Sequence, residues 1–210
     1  MDLEETELLF SIPDRKDPSQ YRDLAIMTVM YESGARVQEV IDLCPSNFHF
    51  SGTNRVEIHG KGNKTRLVSI SRKVAEIVKT YIKKAGRTEP KEPLFVNRKG
   101  EKLTRAGIQY IINKYVDIAR SQRPDLFKSK ITNHTFRHSK AMHLLEADVN
   151  LVYIRDFLGH TSVKTTEIYA RSNPKVKEEQ LRKSSAAINS GKNYGEKEKE
   201  NLLDWLKKNL

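Results

Sequence analysis

The stretch that decides the fold lies at residues 55–70 and reads RVEIHGKGNKTRLVSI. Two short runs that each contain apolar residues, Arg55–His59 with Val56 and Ile58 and Thr65–Ile70, flank a segment that contains two glycines and an asparagine. Glycine and asparagine tolerate the positive φ that tight hairpins require, so the two runs are predicted to pair as antiparallel strands. In the second strand, Leu67 and Ile70 are the expected apolar positions.

Outside this hairpin the apolar residues recur mostly at helical spacing. The chain is therefore predicted to be mainly α with one small antiparallel β-hairpin, an α+β class. Cap residues such as Thr104, Asn150 and Gly159 mark several of the helix ends. The predicted helices are Leu3–Phe10, Ser19 or Gln20 to Gly34, Arg36–Leu43, Arg72–Lys84, Thr104–Arg120, Thr132 or Asn133 to Leu145, Asn150–Gly159, a short helix or turn at Ser162–Ala170, and a last helix near the C-terminus.

Charge is the most informative property of the composition. The formal net charge is +11 and the pI is about 9.6, so a polyanion such as nucleic acid is the natural partner, although a generally basic protein would show the same balance. The single cysteine, Cys44, excludes a disulfide framework and a cysteine zinc site. No apolar run approaches the roughly 18 residues that span a bilayer, and no signal peptide is recognisable. We therefore expect a cytoplasmic protein without a membrane partner.

The histidines near the middle of the second half are candidates for chemistry. His134 and Arg137 stand three apart at the start of a predicted helix, so their side chains share a face, and a helix N-terminus favours a phosphate. A solvated helix face would give the same pair. His138 adds a histidine four residues after His134, but no third metal ligand occurs at a recognisable spacing. No metal and no cofactor are expected.

His160 and Tyr169 lie further along the chain. Gly159 allows a sharp turn that presents His160 in a loop, and Tyr169 follows nine residues later. A tyrosine is often a core residue. However, Tyr169 is followed by Ala170 and Arg171, after which the apolar pattern ends. This is a poor context for a core tyrosine, and it favours a functional one.

Together these segments resemble the catalytic domain of the tyrosine recombinases, or phage-type integrases. The resemblance extends from about residue 3 to residue 185, and each motif alone is weak. Five motifs in the family's order make the resemblance specific: SGARVQEV at 33–40, GKGNKTR at 60–66, NHTFRH at 133–138, LGH at 158–160 and TTEIY at 165–169.

The resemblance implies a catalytic-domain fold and an enzyme that cuts and rejoins DNA strands through a covalent 3′-phosphotyrosine, without a metal or cofactor. It also implies one nucleophile, one general acid, four phosphate-binding side chains and an acidic residue that supports one of them. The nucleophile would be Tyr169 and the general acid Lys61. The acidic residue would be Glu39, which supports Arg36. The phosphate-binding side chains would be Arg36, Arg137, His134 and His160.

These residue types suit the implied reaction. Attack by a phenolate adds negative charge to the non-bridging oxygens of a phosphodiester, and two guanidiniums match that charge. Tyrosine has a pKa near 10, so a positive pocket stabilises its phenolate. The leaving 5′-alkoxide is a stronger base than phenolate and needs a proton, which Lys61 could give.

Domain organisation and partners follow from the same resemblance. Residues 1–185 are expected to form the catalytic domain, and residues 186–210 a flexible linker and a C-terminal helix that could dock in trans. The expected partner is double-stranded DNA, on which the protein would form a homo-oligomer, a tetramer, while a monomer is possible without DNA. Family members usually carry an N-terminal helical domain, so the chain is expected to be an excised catalytic domain or a reduced form.

Three other functions fit part of the sequence. A type IB topoisomerase shares the phosphotyrosine chemistry but rejoins the same strand; the two histidines flanking Arg137 and the Gly-Lys-Gly hairpin favour the recombinase. A DNA-binding protein without catalysis explains the charge but gives no reason for the candidate residues to occur together. A metal nuclease is disfavoured because no close set of carboxylates stands out. Integration, excision, resolution and inversion all remain compatible with the sequence.

Overall fold

The computed structural model describes residues 1–60, 62 and 64–159. Within these residues the chain is mainly helical and carries one small antiparallel sheet, so the predicted α+β class is confirmed. The helices are α1 (Leu3–Ser11), α2 (Pro18–Ser33), α3 (Val37–Ile41), α4 (Arg72–Lys84), α5 (Arg105–Gln122), α6 (Asn133–Glu146) and α7 (Leu151–Leu158), with one 3₁₀ turn at Pro45–Asn47. The strands are β1 (Phe48–His49), β2 (Arg55–His59) and β3 (Thr65–Ser69).

Several predictions fall outside the described residues. They concern the short helix or turn at Ser162–Ala170, the linker and the C-terminal helix. The candidate site residues Lys61, His160 and Tyr169 also lie outside the described part of the chain.

Local caps determine where α2 begins and ends. The Asp17 carboxylate accepts hydrogen bonds from the backbone N–H groups of Ser19 and Gln20, and Pro18 occupies the first turn, where its missing N–H costs nothing. The helix therefore starts just before the predicted position. It ends at Gly34, whose φ of +56° is left-handed and suits a residue without a Cβ.

The sheet differs from the prediction in two ways. It has a third strand, β1, which is only two residues long and too short to give a periodic signal in the sequence. In β3 the core residue is Val68, which pairs with the buried Val56, whereas Leu67 is 54% exposed. Paired residues point to the same face of a sheet, so the register with β2 turns Val68 inward and Leu67 outward.

The hydrophobic core is built around α2. Every residue from Leu24 to Met30 is buried, which is typical of a helix enclosed on all sides. This helix packs against both α4 and α6. Its buried Asp23 accepts a hydrogen bond of 3.0 Å from the Tyr115 hydroxyl of α5. This hydrogen bond ties the first part of α2 to α5.

Replacing Gly34 by alanine tests how closely α7 approaches that end. A Cβ at Gly34 would lie 2.9 Å from both Leu158 Cδ2 and Phe157 Cε1, besides the strain of its positive φ. Gly86 has a φ of +60° with nothing within 4 Å of its Cβ position, so Gly86→Ala isolates the strain, about 1–2 kcal/mol. Gly34→Ala should lower the free energy of unfolding by about 1–3 kcal/mol more in urea titrations. Equal losses in the two variants would contradict the close packing.

Candidate active site

Arg137 joins the ends of two helices. It lies on α6 and is only 6% exposed. Its Nη1 donates to the Gly34 carbonyl at 2.6 Å, and its Nη2 donates to the Leu158 carbonyl at 2.7 Å. Carbonyls at the C-terminal end of a helix lack partners within the helix, so Arg137 satisfies one at the end of α2 and one at the end of α7. Its charge also suits these negative helix ends.

Arg36 follows Gly34 by two residues and is held by Glu39. The Glu39 carboxylate accepts from the backbone N–H of Arg36 at 2.8 Å and from its Nη1 at 3.0 Å. The expected contact between the two residues is therefore present. Glu39 is 6% exposed, whereas the Arg36 side chain is 41% exposed. Glu39 thus anchors a guanidinium that still has access to a ligand.

Arg66 completes this cluster, and sequence reasoning gave it no role. Its Nη2 donates to Glu39 at 2.8 Å and its Nη1 at 3.3 Å, while its Nε donates to the Phe157 carbonyl at 3.1 Å. Its signal in the sequence is its place at the end of the GKGNKTR motif at 60–66. Its inward direction comes from the structure, where the β2–β3 pairing places it opposite the buried Ile58.

The charge state of Glu39 follows from these contacts. Burial alone would raise the pKa of its carboxyl, but hydrogen bonds from the Arg66 side chain and the Arg36 backbone outweigh that effect. The net result is a lowered pKa. The contribution of Glu39 to stability is present above the carboxyl's unfolded pKa and is lost as the pH falls through the lowered folded value.

The described part of the chain brings Arg36 and Arg137 together around Gly34. His134 is exposed in the first turn of α6, three residues before Arg137. Gly60 precedes Lys61, and a Cβ on it would lie 3.3 Å from Glu39 Oε1. Gly159 precedes His160, and a Cβ on it would lie 3.0 Å from Arg66 Nη1. The chain therefore leads into both residues from the same cluster.

The described residues contain neither a cluster of metal ligands nor a membrane-spanning helix. No group of three or more His, Cys, Asp or Glu side chains is placed to hold a metal ion in that part of the chain. No helix there is both long and apolar enough to cross a membrane.

Comparison with known proteins identifies the class. Residues 1–176 match the model of the phage integrase family, and the chain belongs to that family. This agrees with the resemblance carried by the sequence motifs.

Individual relatives are similar in sequence and in fold. The chain is 34% identical over 171 residues to the tyrosine recombinase XerD of Halalkalibacterium halodurans, covering 80% of this chain and 55% of that protein. It is 32% identical over 197 residues to the tyrosine recombinase XerC of Syntrophus aciditrophicus, covering 84% and 61%. The chain thus spans somewhat more than half the length of these relatives.

Solved structures share the fold. XerH site-specific recombinase bound to its palindromic difH substrate, in a post-cleavage complex, superimposes with a TM-score of 0.73 at 24% identity, covering 86% of this chain and 52% of that one. The catalytic domain of bacteriophage HP1 integrase gives a TM-score of 0.59 at 18% identity, covering 87% of this chain and 92% of that domain. This chain therefore matches nearly the whole of the HP1 integrase catalytic domain.

Substitution by lysine should affect protein stability differently at Arg137 and at Arg36. Arg137→Lys leaves a buried carbonyl without its donor and should lower the free energy of unfolding by about 1–3 kcal/mol. Arg36→Lys, at a partly exposed site, should lower it by less than about 1 kcal/mol. Both should impair DNA cleavage more than DNA binding, because lysine keeps the charge but loses the planar fork.

Urea titration, DNA affinity and cleavage rate together check this expectation. An Arg137→Lys protein as stable as the wild type would contradict the structural role. Equal losses of affinity and cleavage in both variants would indicate a plain binding function.

Proposed function

We propose that this chain is the catalytic domain of a site-specific DNA recombinase or integrase. It cuts one strand of duplex DNA with Tyr169, holds the end as a 3′-phosphotyrosine, and rejoins it to another strand. The single observation that carries the proposal is that Arg137 binds the Gly34 carbonyl at the end of α2, two residues before Arg36, whose partly exposed side chain is held by Glu39. These are the two arginines that the family motifs assign to the scissile phosphate.

Each candidate residue has a role in the proposed reaction. Tyr169 attacks the phosphorus as its phenolate and the 5′ oxygen leaves, so the phosphodiester becomes a phosphotyrosine ester. Lys61 gives its proton to the leaving oxygen. The remaining four side chains bind the non-bridging oxygens, whose charge grows in the transition state. They are Arg36, Arg137, His134 and His160.

The proposed reaction conserves the energy of the phosphodiester bond. The phosphotyrosine is itself a phosphodiester, so a 5′-hydroxyl can attack it and release Tyr169 in the reverse sense. Rejoining therefore consumes no ATP. The six side chains together supply a nucleophile, a proton and cationic stabilisation, and the proposed mechanism assigns no step to a metal or a cofactor.

Two other functions make different predictions. A type IB topoisomerase would relax supercoiled DNA that lacks a specific site. The named relatives are recombinases, which supports strand exchange instead. A binding protein without catalysis would not require Glu39 to hold an arginine that remains partly exposed.

The proposed partner is double-stranded DNA. A net charge of +11 suits a polyanion, and the related XerH was solved bound to difH DNA. We propose that residues 1–185 act as the catalytic domain in the cytoplasm. Residues 186–210 would form a linker and a C-terminal helix that docks on a neighbouring protomer, so that four chains assemble on DNA.

A nicked suicide substrate tests the proposed reaction. Cleavage next to the nick releases a short oligonucleotide, so the covalent complex cannot rejoin and accumulates on a denaturing gel. The wild type should form this complex with EDTA present, and Tyr169→Phe should not. Tyr153→Phe is the matched control, since Tyr153 is 61% exposed and lies on α7. A covalent complex with Tyr169→Phe, or its loss with Tyr153→Phe, would refute the assignment.

Deleting residues 190–210 tests the role of the tail. This segment carries apolar residues at helical spacing, and a helix this short needs a groove to be stable. Deletion should leave each chain folded and able to form the covalent complex, but it should weaken cooperative assembly on paired sites in gel-shift titrations. Unchanged assembly would contradict docking in trans. The residues concerned are Leu202, Leu203, Trp205, Leu206 and Leu210.

A further inference from the structure

Arg66 is a charged residue on the core-facing side of a strand. It sits in β3 opposite Ile58, which is fully buried, and its own side chain is 13% exposed. A guanidinium in such a place must have hydrogen-bond partners, because an unpaired buried charge is strongly destabilising. Its partners are the Glu39 carboxylate and the Phe157 carbonyl. Both belong to segments that lead to candidate catalytic residues.

Glu39 is shared between two arginines. Its Oε1 accepts from Arg36 Nη1 at 3.0 Å and from Arg66 Nη1 at 3.3 Å. Its Oε2 accepts from the Arg36 backbone N–H at 2.8 Å and from Arg66 Nη2 at 2.8 Å. Arg66 therefore donates to both carboxylate oxygens, which fixes the plane of the Glu39 carboxylate as well as its position. Because Arg36 Nη1 donates to the same carboxylate, the orientation of that plane sets the position of the Arg36 guanidinium.

The three groups also set a charge balance. One carboxylate between two guanidiniums leaves a net charge of +1 for the cluster. Without Arg66, the buried Glu39 charge would be balanced by Arg36 alone. The Arg36 guanidinium would then be drawn towards Glu39, and less of its positive charge would be available to bind a phosphate.

Two glycines leave room for this arrangement. A Cβ on Gly159 would lie 3.0 Å from Arg66 Nη1 and 3.3 Å from its Cδ and Cζ. A Cβ on Gly60 would lie 3.3 Å from Glu39 Oε1 and 3.6 Å from Arg66 Nη1. Backbone from the hairpin and from the end of α7 thus closes around the Arg66 guanidinium.

We propose that Arg66 is a positioning residue, which fixes Glu39 and through it the Arg36 guanidinium, and ties both to the end of α7. It does not touch the DNA itself. Its effect on cleavage rests on the function proposed above.

The first test compares Arg66→Gln and Arg66→Lys with Arg55→Gln. Arg55 is exposed at the far end of the same strand pair, so its substitution removes one charge from the same hairpin. Single-turnover formation of the covalent complex is measured at saturating DNA, with DNA affinity and thermal melting alongside. Arg66→Gln should lower the rate about 10–100-fold, somewhat less than the loss of a direct contact, with DNA affinity nearly unchanged. Arg66→Lys should retain more of the rate, and Arg55→Gln nearly all of it.

The second test asks which catalytic group Arg66 serves. A methylphosphonate at the scissile position removes the negative charge that Arg36 is proposed to bind. On this substrate the defects of Arg66→Gln and Arg36→Ala should shrink together. A 5′-bridging sulfur instead makes a leaving group that needs no proton. It should rescue Lys61→Ala but neither arginine variant.

The outcomes are distinct. A wild type that forms no covalent complex would remove the proposed function and this inference with it. If the wild type reacts and Arg66→Gln reacts equally fast, only the inference fails. Rescue of Arg66→Gln by the bridging sulfur would place Arg66 with the general acid instead. An equal loss on all three substrates would mean that Arg66 only stabilises the fold, and Arg66→Lys gives the same comparison if Arg66→Gln does not fold.

Discussion

The buried guanidinium of Arg137 bridges the carbonyls of Gly34 and Leu158, and the candidate site depends on this bridge. The first carbonyl ends α2, the central helix of the core, and the second ends α7. Neither carbonyl has a partner within its own helix. One planar side chain satisfies both, and so it sets the distance between the two helix ends. Arg36 follows one of them by two residues, and His160 follows the other by two.

A second set of hydrogen bonds, centred on Glu39, lies next to this bridge. Glu39 holds Arg36, and Arg66 holds Glu39 and the carbonyl next to Leu158. The hairpin, α3 and the end of α7 are therefore joined by charge-assisted hydrogen bonds rather than by apolar packing alone. Such bonds are directional, which suits a site where a shift of about 1 Å can cost about a hundredfold in rate. The arrangement links the stability of the fold to the geometry of the candidate site.

Much of this fold could be predicted from the sequence, because helix ends carry local signals. The bounds of α4 match the prediction, and α7 lies between Asn150 and Gly159, which cap it as expected. Strand β1 could not be predicted, since two residues have no period. Of the two apolar positions expected in the second strand, Ile70 is buried but Leu67 is exposed, because Leu67 and Val68 are both apolar and only the pairing with Val56 distinguishes them.

Less of the candidate site than of the fold could be predicted from the sequence. Arg36 and Arg137 were found through motifs, and their convergence on Gly34 follows from contacts between residues about a hundred positions apart, which no local pattern encodes. Arg66 was missed for a physical reason, since its inward direction depends on the pairing of β3 with β2, which no local pattern encodes. Lys61, His160 and Tyr169 remain predictions from the sequence.

If Tyr169 becomes bonded to DNA, mass spectrometry of the trapped complex detects the bond directly. After digestion with protease and nuclease, we expect one nucleotide-bearing peptide, modified at Tyr169 through the 3′-phosphate of the cut strand. A modification on another residue, or a bond to the 5′-phosphate, would contradict the proposed reaction.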